Sequence, residues 1–434
     1  MSNQNLLNRS LQSVWHPCTQ MKQHETLPLI PIKSGEGVWL TDAEGKRYLD
    51  AVSSWWVNIF GHNNPRIKEA IKQQLDTLEH VILAGFTHEP VVALSEKLSQ
   101  LTGLGHAFYA SDGASATEIA LKMSFHYWRN SDKSAKNKFI SLQNSYHGET
   151  LGALGVTDVA IFKDTYASLL TQSTQMPSPD FRLAEVGESA EAYAIRCAEA
   201  LETHIGQHHE TLAAFIIEPL VQCAAGMGMY HHVYLKRARE ICNQYNVHLI
   251  ADEIAVGFGR TGTMFACEQA GIKPDFICLS KGITGGYLPL STVLTTDETY
   301  AAFYDDSTAR GFLHSHSYTG NPLACSAALA TLAIFETDCI IAKNKEKSRY
   351  INDKMQVLTH LPIKHLRHQG MIFAFDVETD NAAFLNVFYQ QALQQGLLLR
   401  PIGNTIYFMP PYVINETEID FMIQTTKLSI EQSL

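Results

Sequence analysis

The chain has 434 residues, 45% hydrophobic and 18% charged, a composition that excludes a disordered or fibrous protein. A formal net charge of -11 with no block of consecutive basic residues leaves no footprint for nucleic acid or an anionic membrane. Eight cysteines without a CxxC pair or zinc-type spacing point to reduced thiols and no metal site.

In chain order, the first residues, MSNQNLLNRSLQSVWHP, lack the basic start and apolar run of a secretory signal, and no stretch approaches the ~20 apolar residues of a membrane span, so a cytoplasmic protein is expected. VWLTD (38–42) and RYLDAVSS (47–54) read as strands too short to bury themselves alone. From about 105 to 330, short apolar runs alternate with helical periodicities, which predicts an α/β domain with a mostly parallel sheet. A single core stops growing at roughly 250–300 residues, so more than one domain is expected. The predicted division is an N-terminal segment 1–65, a large domain 66–330 and a small α+β domain 331–434 with which the N-terminal segment packs.

FYASDGASATEIALKMSFHYW (108–128) reads as strand, small-residue turn and amphipathic helix; the N–H groups of Gly113, Ala114 and Ser115 at the helix start suit an anion such as phosphate. NSYHGET (144–150) puts Tyr146 in a turn, where its ring is free to lie on a flat ligand. LAAFIIEP (212–219), VHLIADEI (247–254) and DFICLSKG (275–282) are apolar on consecutive positions, as strands covered on both faces are. Each ends in a polar group. Glu218, Asp252 with Glu253, and Lys281 thus fall at carboxyl ends of strands, the edge where open α/β sheets assemble ligand sites.

A buried, uncompensated ammonium is costly, so a lysine at a buried strand end is driven towards the neutral, nucleophilic amine. Imine formation with an aldehyde cofactor is a standard use of that group, and pyridoxal phosphate also needs a carboxylate on its ring nitrogen. Lys281 and Asp252 supply both. Taken alone, Lys281 reads equally well as a surface lysine past its strand, and DEIAVGFGRTG, with Arg260 in a Gly-rich turn, as a capping aspartate with a structural arginine.

With these pieces in place, the chain resembles the class III aminotransferases of the fold-type I pyridoxal-phosphate enzymes up to about residue 415, through DEIAVGFGRTG, SKGITGGYLPLS and TGNPLACSAALA in that order. WHPCTQM, SSWWVNIFGHNNP and HVILAGFTHEP are similar to the branch of that class that serves biotin synthesis. The resemblance implies transfer of an amino group to 8-amino-7-oxononanoate, giving 7,8-diaminononanoate, with S-adenosylmethionine as donor and a ping-pong course. It makes Lys281 the Schiff-base lysine, Asp252 the partner of the ring nitrogen, Tyr146 the residue against the ring, Gly113 and Ala114 the phosphate cradle, and Gln222 a neighbour of the ring hydroxyl. For the substrate it implies Cys18, Trp55, Tyr146, Glu149, Lys281, Ser315, Arg400 and Tyr407. His316 and Ser317 would reach the phosphate from a neighbouring subunit, in a homodimer with active sites at the interface.

The chain departs from the family pattern in three places: Cys18 stands for Tyr, Ala114 for Ser, and the run Ser315, His316 and Ser317 for a Gly-Pro-Thr run. Cys18 bears on substrate handling, because the family's phenol there contacts substrate. Another class III enzyme, acting on ω-amino acids or diamines, is the nearest alternative reading; a non-catalytic scaffold protein is the alternative of a different kind.

Overall fold

The computed structural model describes residues 2–27 and 29–434. The chain divides into two compact units, one of Met1–Pro65, Glu346–Arg367 and Phe373–Leu434, the other of Arg66–Lys345 and His368–Ile372. The helix Pro322–Thr337 and the start of the helix Ile340–Met355 thus stay with the larger unit, beyond the expected limit at 330. The former is rich in small residues, with Ala324, Cys325, Ala327 and Ala328 buried, and it packs on the helix Glu89–Thr102 and the turn Lys281–Thr284 of the same unit.

In the smaller unit β1 (Ile32–Glu36), β2 (Trp39–Asp42) and β3 (Arg47–Asp50) form an antiparallel meander. The larger unit contributes β4 (His106–Ala110), β5 (Lys138–Leu142), β6 (Thr174–Met176), β7 (Leu212–Ile217), a short hairpin of β8 (Val221–Gln222) and β9 (Gly228–Met229), β10 (His248–Asp252), β11 (Phe276–Leu279) and β12 (Ser291–Thr295). The C-terminal part adds β13 (Ile363–Gln369), β14 (Ile372–Val377), β15 (Leu397–Leu398), which extends the meander parallel to β3, and β16 (Thr405–Phe408).

The sheet of the larger unit runs β4-β12-β11-β10-β7-β5-β6. Neighbours from β11 to β6 are parallel, and β12 runs against both β11 and β4. Every residue of β7, β10, β11 and β12 is buried, as a sheet covered on both faces requires. The helix Gly113–Asn130 lays Ala116, Ile119, Ala120 and Met123 on Ile216, Ile250, Phe276, Cys278 and Val293. That packing fixes the helix start relative to the strand ends. No single helix among the described residues is long and apolar enough to cross a membrane.

The sequence reads RYLDAVSS as continuously strand-like, yet β3 stops at Asp50 and Ser53, Ser54, Trp55 and Trp56 follow with φ of 51, 46, 69 and 72°. Four consecutive non-glycine residues in the left-handed region carry a cost of about 1–2 kcal/mol each. Side chains hold the turn from outside: Ser53 Oγ donates to the Met409 carbonyl at 2.7 Å, Ser54 Oγ to Asp50 Oδ2 at 2.7 Å, and Trp56 Nε1 to Tyr407 Oη at 3.1 Å.

Candidate active site

Strand register places the chemistry. Ala251 pairs with Ile217 and Asp252 with Cys278, so Asp252 at the tip of β10 stands between Glu218, one residue past β7, and the start of the turn that carries Lys281 beyond β11. Adjacent strands lie about 4.8 Å apart, so three ionisable groups emerge from three neighbouring tips. All are polar groups that the sheet interior refuses and the strand ends accept.

Asp252 is buried, with Oδ1 accepting the Ile254 N–H at 3.1 Å and Oδ2 lying 2.7 Å from Nδ1 of the buried His147. Lys281 takes a left-handed conformation, φ 42°, at the start of its turn. Burial lowers its amine pKa from the ordinary lysine value, while Asp252, Cys223 and Glu218 pull the other way. Glu218 accepts the Tyr146 N–H at Oε2 (2.9 Å) and the Cys223 N–H at Oε1 (3.3 Å). Burial, then the Asp252 carboxylate, push its carboxyl well above the usual range despite those bonds. Two buried carboxylates beside one amine would leave excess negative charge in a low dielectric, and the upward shift of Glu218 acts against that excess.

Gly113 and Ala114 open the helix Gly113–Asn130, where Asp112 caps by accepting the Ser115 N–H at 2.9 Å and the Ser115 hydroxyl at 2.8 Å. The first N–H groups of a helix have no intrahelical acceptor, and the helix dipole favours an anion in front of them. The loop after β5 is pinned onto this start. Thr117 Oγ1 donates to the His147 carbonyl at 2.9 Å, and Gly148, at φ 126°, sits where a Cβ would come within 2.5 Å of the Ala114 Cβ. Ala114, in place of the family's serine, therefore faces Gly148 and contributes its backbone.

Tyr146 donates from its hydroxyl to Glu149 Oε1 at 2.9 Å, and its ring meets Phe162 edge-on at 5.3 Å. Gln222 is buried with its amide oriented at both ends: Nε2 donates to the Gln143 carbonyl at 2.9 Å and Oε1 accepts from the Ser178 hydroxyl. The structure thus gathers Gly113, Ala114, Tyr146, Glu149, Gln222, Asp252 and Lys281 at the carboxyl edge of the large sheet. A lysine amine for an aldehyde, a held carboxylate for a ring nitrogen and a helix start for a phosphate fit pyridoxal phosphate.

Ser315, His316 and Ser317 lie in the larger unit, in the loop before the helix Pro322–Thr337. The His316 N–H donates to Thr319 Oγ1 at 3.1 Å, and its ring lies 5.1 Å from that of His314. Among the described residues no hydrogen bond joins these three to Gly113 or Ala114. A cavity of about 830 Å³ borders this loop at His314 and is lined by Glu118, Phe125 and Phe312 as well, but by none of the predicted site residues.

The other four residues, Cys18, Trp55, Arg400 and Tyr407, belong to the smaller unit, which brings the first three together. The Arg400 guanidinium lies 4.1 Å from the Trp55 ring centroid and donates to the Cys18 carbonyl at 3.2 Å. Tyr407 is buried, its hydroxyl receiving the Trp56 indole N–H. Sequence reasoning passed over His147, although NSYHGET contains it; the signal was a buried histidine whose partner stands 105 residues later in the chain.

The class III aminotransferase family model matches residues 20–430. The adenosylmethionine-8-amino-7-oxononanoate aminotransferase of Helicobacter pylori is 50% identical over 425 residues, covering 96% of this chain and 95% of its own. That of Geobacter sulfurreducens is 40% identical over 441 residues, covering 98% and 97%. Among solved structures, the Methanocaldococcus jannaschii enzyme of the same name has a TM-score of 0.94 at 35% identity, covering 100% of both chains. An amine transaminase from an uncultivated Pseudomonas species, in its PLP-bound form, has a TM-score of 0.92 at 30% identity, covering 97% of this chain and 99% of its own. This chain belongs to the class III aminotransferases, pyridoxal-phosphate-dependent transaminases of the α/β fold.

Proposed function

We propose that this aminotransferase converts 8-amino-7-oxononanoate to 7,8-diaminononanoate in biotin synthesis, with S-adenosylmethionine as amino donor. The observation that carries aminotransfer is the delivery of Lys281 and Asp252 from neighbouring strand tips beside the start of the Gly113 helix. The keto-acid substrate rests on the 50% identity to the Helicobacter pylori enzyme.

When bound, pyridoxal phosphate supplies an aldehyde carbon that takes up the amino group and a pyridine ring that accommodates the electron pair left at the donor's α carbon. Lys281 holds the aldehyde carbon through Nζ. When not bonded to the cofactor, Nζ, whose neutral form burial favours, would be the base that takes the α proton and returns it. Asp252 keeps the ring nitrogen protonated. The N–H groups of Gly113 and Ala114 would hold the phosphate, the amide of Gln222 would face the ring hydroxyl, and Tyr146 would lie against the ring.

Arg400 takes the terminal carboxylate of the keto acid with its planar fork, and Trp55 lines the aliphatic chain. Cys18, Glu149, Ser315 and Tyr407 complete the substrate contacts. His316 and Ser317 reach the phosphate of a second subunit, which makes the working form a homodimer with its active sites at the subunit interface. We place the enzyme in the cytoplasm.

The test is the first half-reaction, followed as the visible absorbance of the bound cofactor while S-adenosylmethionine, lysine and ω-amino acids are added in turn. Loss of the absorbance with S-adenosylmethionine, regained with 8-amino-7-oxononanoate, supports the reading. A response to ω-amino acids alone overturns the assigned donor and substrate.

A further inference from the structure

The carboxylate assigned to the ring nitrogen has a partner that the sequence reading left unused. His147 is buried, and its Nδ1 lies 2.7 Å from Asp252 Oδ2. Its main chain is clamped on both sides: its N–H donates to Thr157 Oγ1 at 3.0 Å, and its carbonyl accepts from Thr117 Oγ1 at 2.9 Å. The next residue, Gly148, packs against Ala114. One tripeptide, Tyr146 to Gly148, therefore links Glu218, Asp252 and the helix start.

The tautomer follows from the surroundings. Nδ1 faces a carboxylate oxygen, so it carries the hydrogen; two facing lone pairs would repel. Nε2 is buried with no hydrogen-bond partner among the described residues. A second proton there would leave a charged N–H stranded away from any acceptor, which is more costly than a stranded lone pair. His147 is thus a neutral donor. It orients the carboxylate and stabilises its ionised form without cancelling its charge, and an imidazolium would cancel it.

We propose that His147 is a positioning residue that, through Asp252, keeps the cofactor's ring nitrogen protonated. The proposal rests on the reading that Asp252 faces that nitrogen. Without the imidazole N–H the carboxylate becomes more basic and freer to rotate, so the proton it shares with the ring nitrogen moves to the carboxylate oxygen.

The test uses holoenzyme reconstituted with pyridoxal phosphate labelled with ¹⁵N in the ring, whose NMR shift separates protonated from neutral pyridine nitrogen. Two variants are compared, His147→Leu, which fills space without donating, and His147→Asn, whose Nδ2 sits at the same remove from the main chain as Nδ1. Wild type and His147→Asn are expected to show the protonated nitrogen, and His147→Leu a shift towards the neutral form. The first half-reaction in His147→Leu should slow roughly 10- to 100-fold, as loss of a hydrogen bond to a charged group implies.

If His147→Leu does not hold the cofactor, the Asn variant decides: a protonated nitrogen supports the proposal and a neutral one overturns it. An unchanged ¹⁵N shift in His147→Leu, or equal losses in both variants, overturns the role of His147 alone. A neutral nitrogen in the wild type instead overturns the reading of Asp252, and this proposal with it.

Discussion

The guanidinium of Arg400 lies over the ring of Trp55, 4.1 Å from its centroid, while one of its nitrogens donates to the carbonyl of Cys18 at 3.2 Å. A cation over an aromatic ring is attracted to the ring face while its N–H groups stay available for hydrogen bonds, so Trp55 helps hold Arg400 in place without using up its donors. The residue at 18 meets Arg400 through its backbone carbonyl, a contact that does not depend on which side chain stands there.

Arg400→Ala should raise KM for the keto acid roughly 10- to 100-fold, the size of a lost charged hydrogen-bond pair, and change the donor half-reaction less. Arg400→Lys should not restore it, because an ammonium has no planar fork. Steady-state kinetics with each substrate varied in turn checks this; equal losses for both substrates would remove Arg400 from its place.

The left-handed turn at Ser53 predicts an inverted order of substitutions. Ser53→Ala loses the bond to the Met409 carbonyl, about 0.5–1.5 kcal/mol, and keeps the backbone strain. Ser53→Gly loses the same bond but relieves the strain at φ 51°, so it should be the more stable of the two by about 1 kcal/mol. Urea unfolding of both variants measures the difference; alanine above glycine would refute the strained turn.

Burial of Lys281 predicts how cofactor capture depends on pH. Its amine titrates below the ordinary value of 10.5, so the neutral fraction, and with it the rate at which apoprotein takes up pyridoxal phosphate, should level off below that pH. Stopped-flow absorbance across pH gives the inflection. Lys281→Ala should fold and lose transamination, and borohydride should fix the cofactor in the wild type alone.

Asp376 offers a test of acid stability in the smaller unit. Burial pushes its carboxyl up, but Arg367 Nη2 at 3.0 Å, with Thr405 and His365, brings it down to about 2. A depressed carboxylate contributes stability that is present above its unfolded value near 3.8 and is lost as pH falls through 2, here about 2 kcal/mol. The stability gap between wild type and Asp376→Asn should therefore be full at pH 5 and shrink as pH approaches 2, as read from urea midpoints.

The sheet edge was legible in the sequence because continuous apolar runs can only be buried strands, and the first charged residue after each run must sit at a tip. Asp252, Glu218 and Lys281 needed nothing more. The helix start at Gly113 was legible for a similar local reason, with Asp112 as cap and apolar spacing behind it. His147 was not, because nothing in NSYHGET distinguishes a histidine facing solvent from one bonded to a carboxylate 105 residues away. Nor was the turn at Ser53–Trp56, where backbone propensity argues against the observed conformation and contacts with Asp50, Tyr407 and Met409, the last two far away in the chain, help sustain it.

By itself, the amino-acid sequence determined which strands are buried and which charged groups their ends expose, since burial of apolar runs is decided locally by the cost of wetting them. The tertiary structure decided which of those groups act on one another. That burial and Asp252 raise Glu218, that burial lowers Lys281, and that His147 faces Asp252 all depend on which groups share one low-dielectric space, and that follows from strand order and register, which no short stretch of chain encodes.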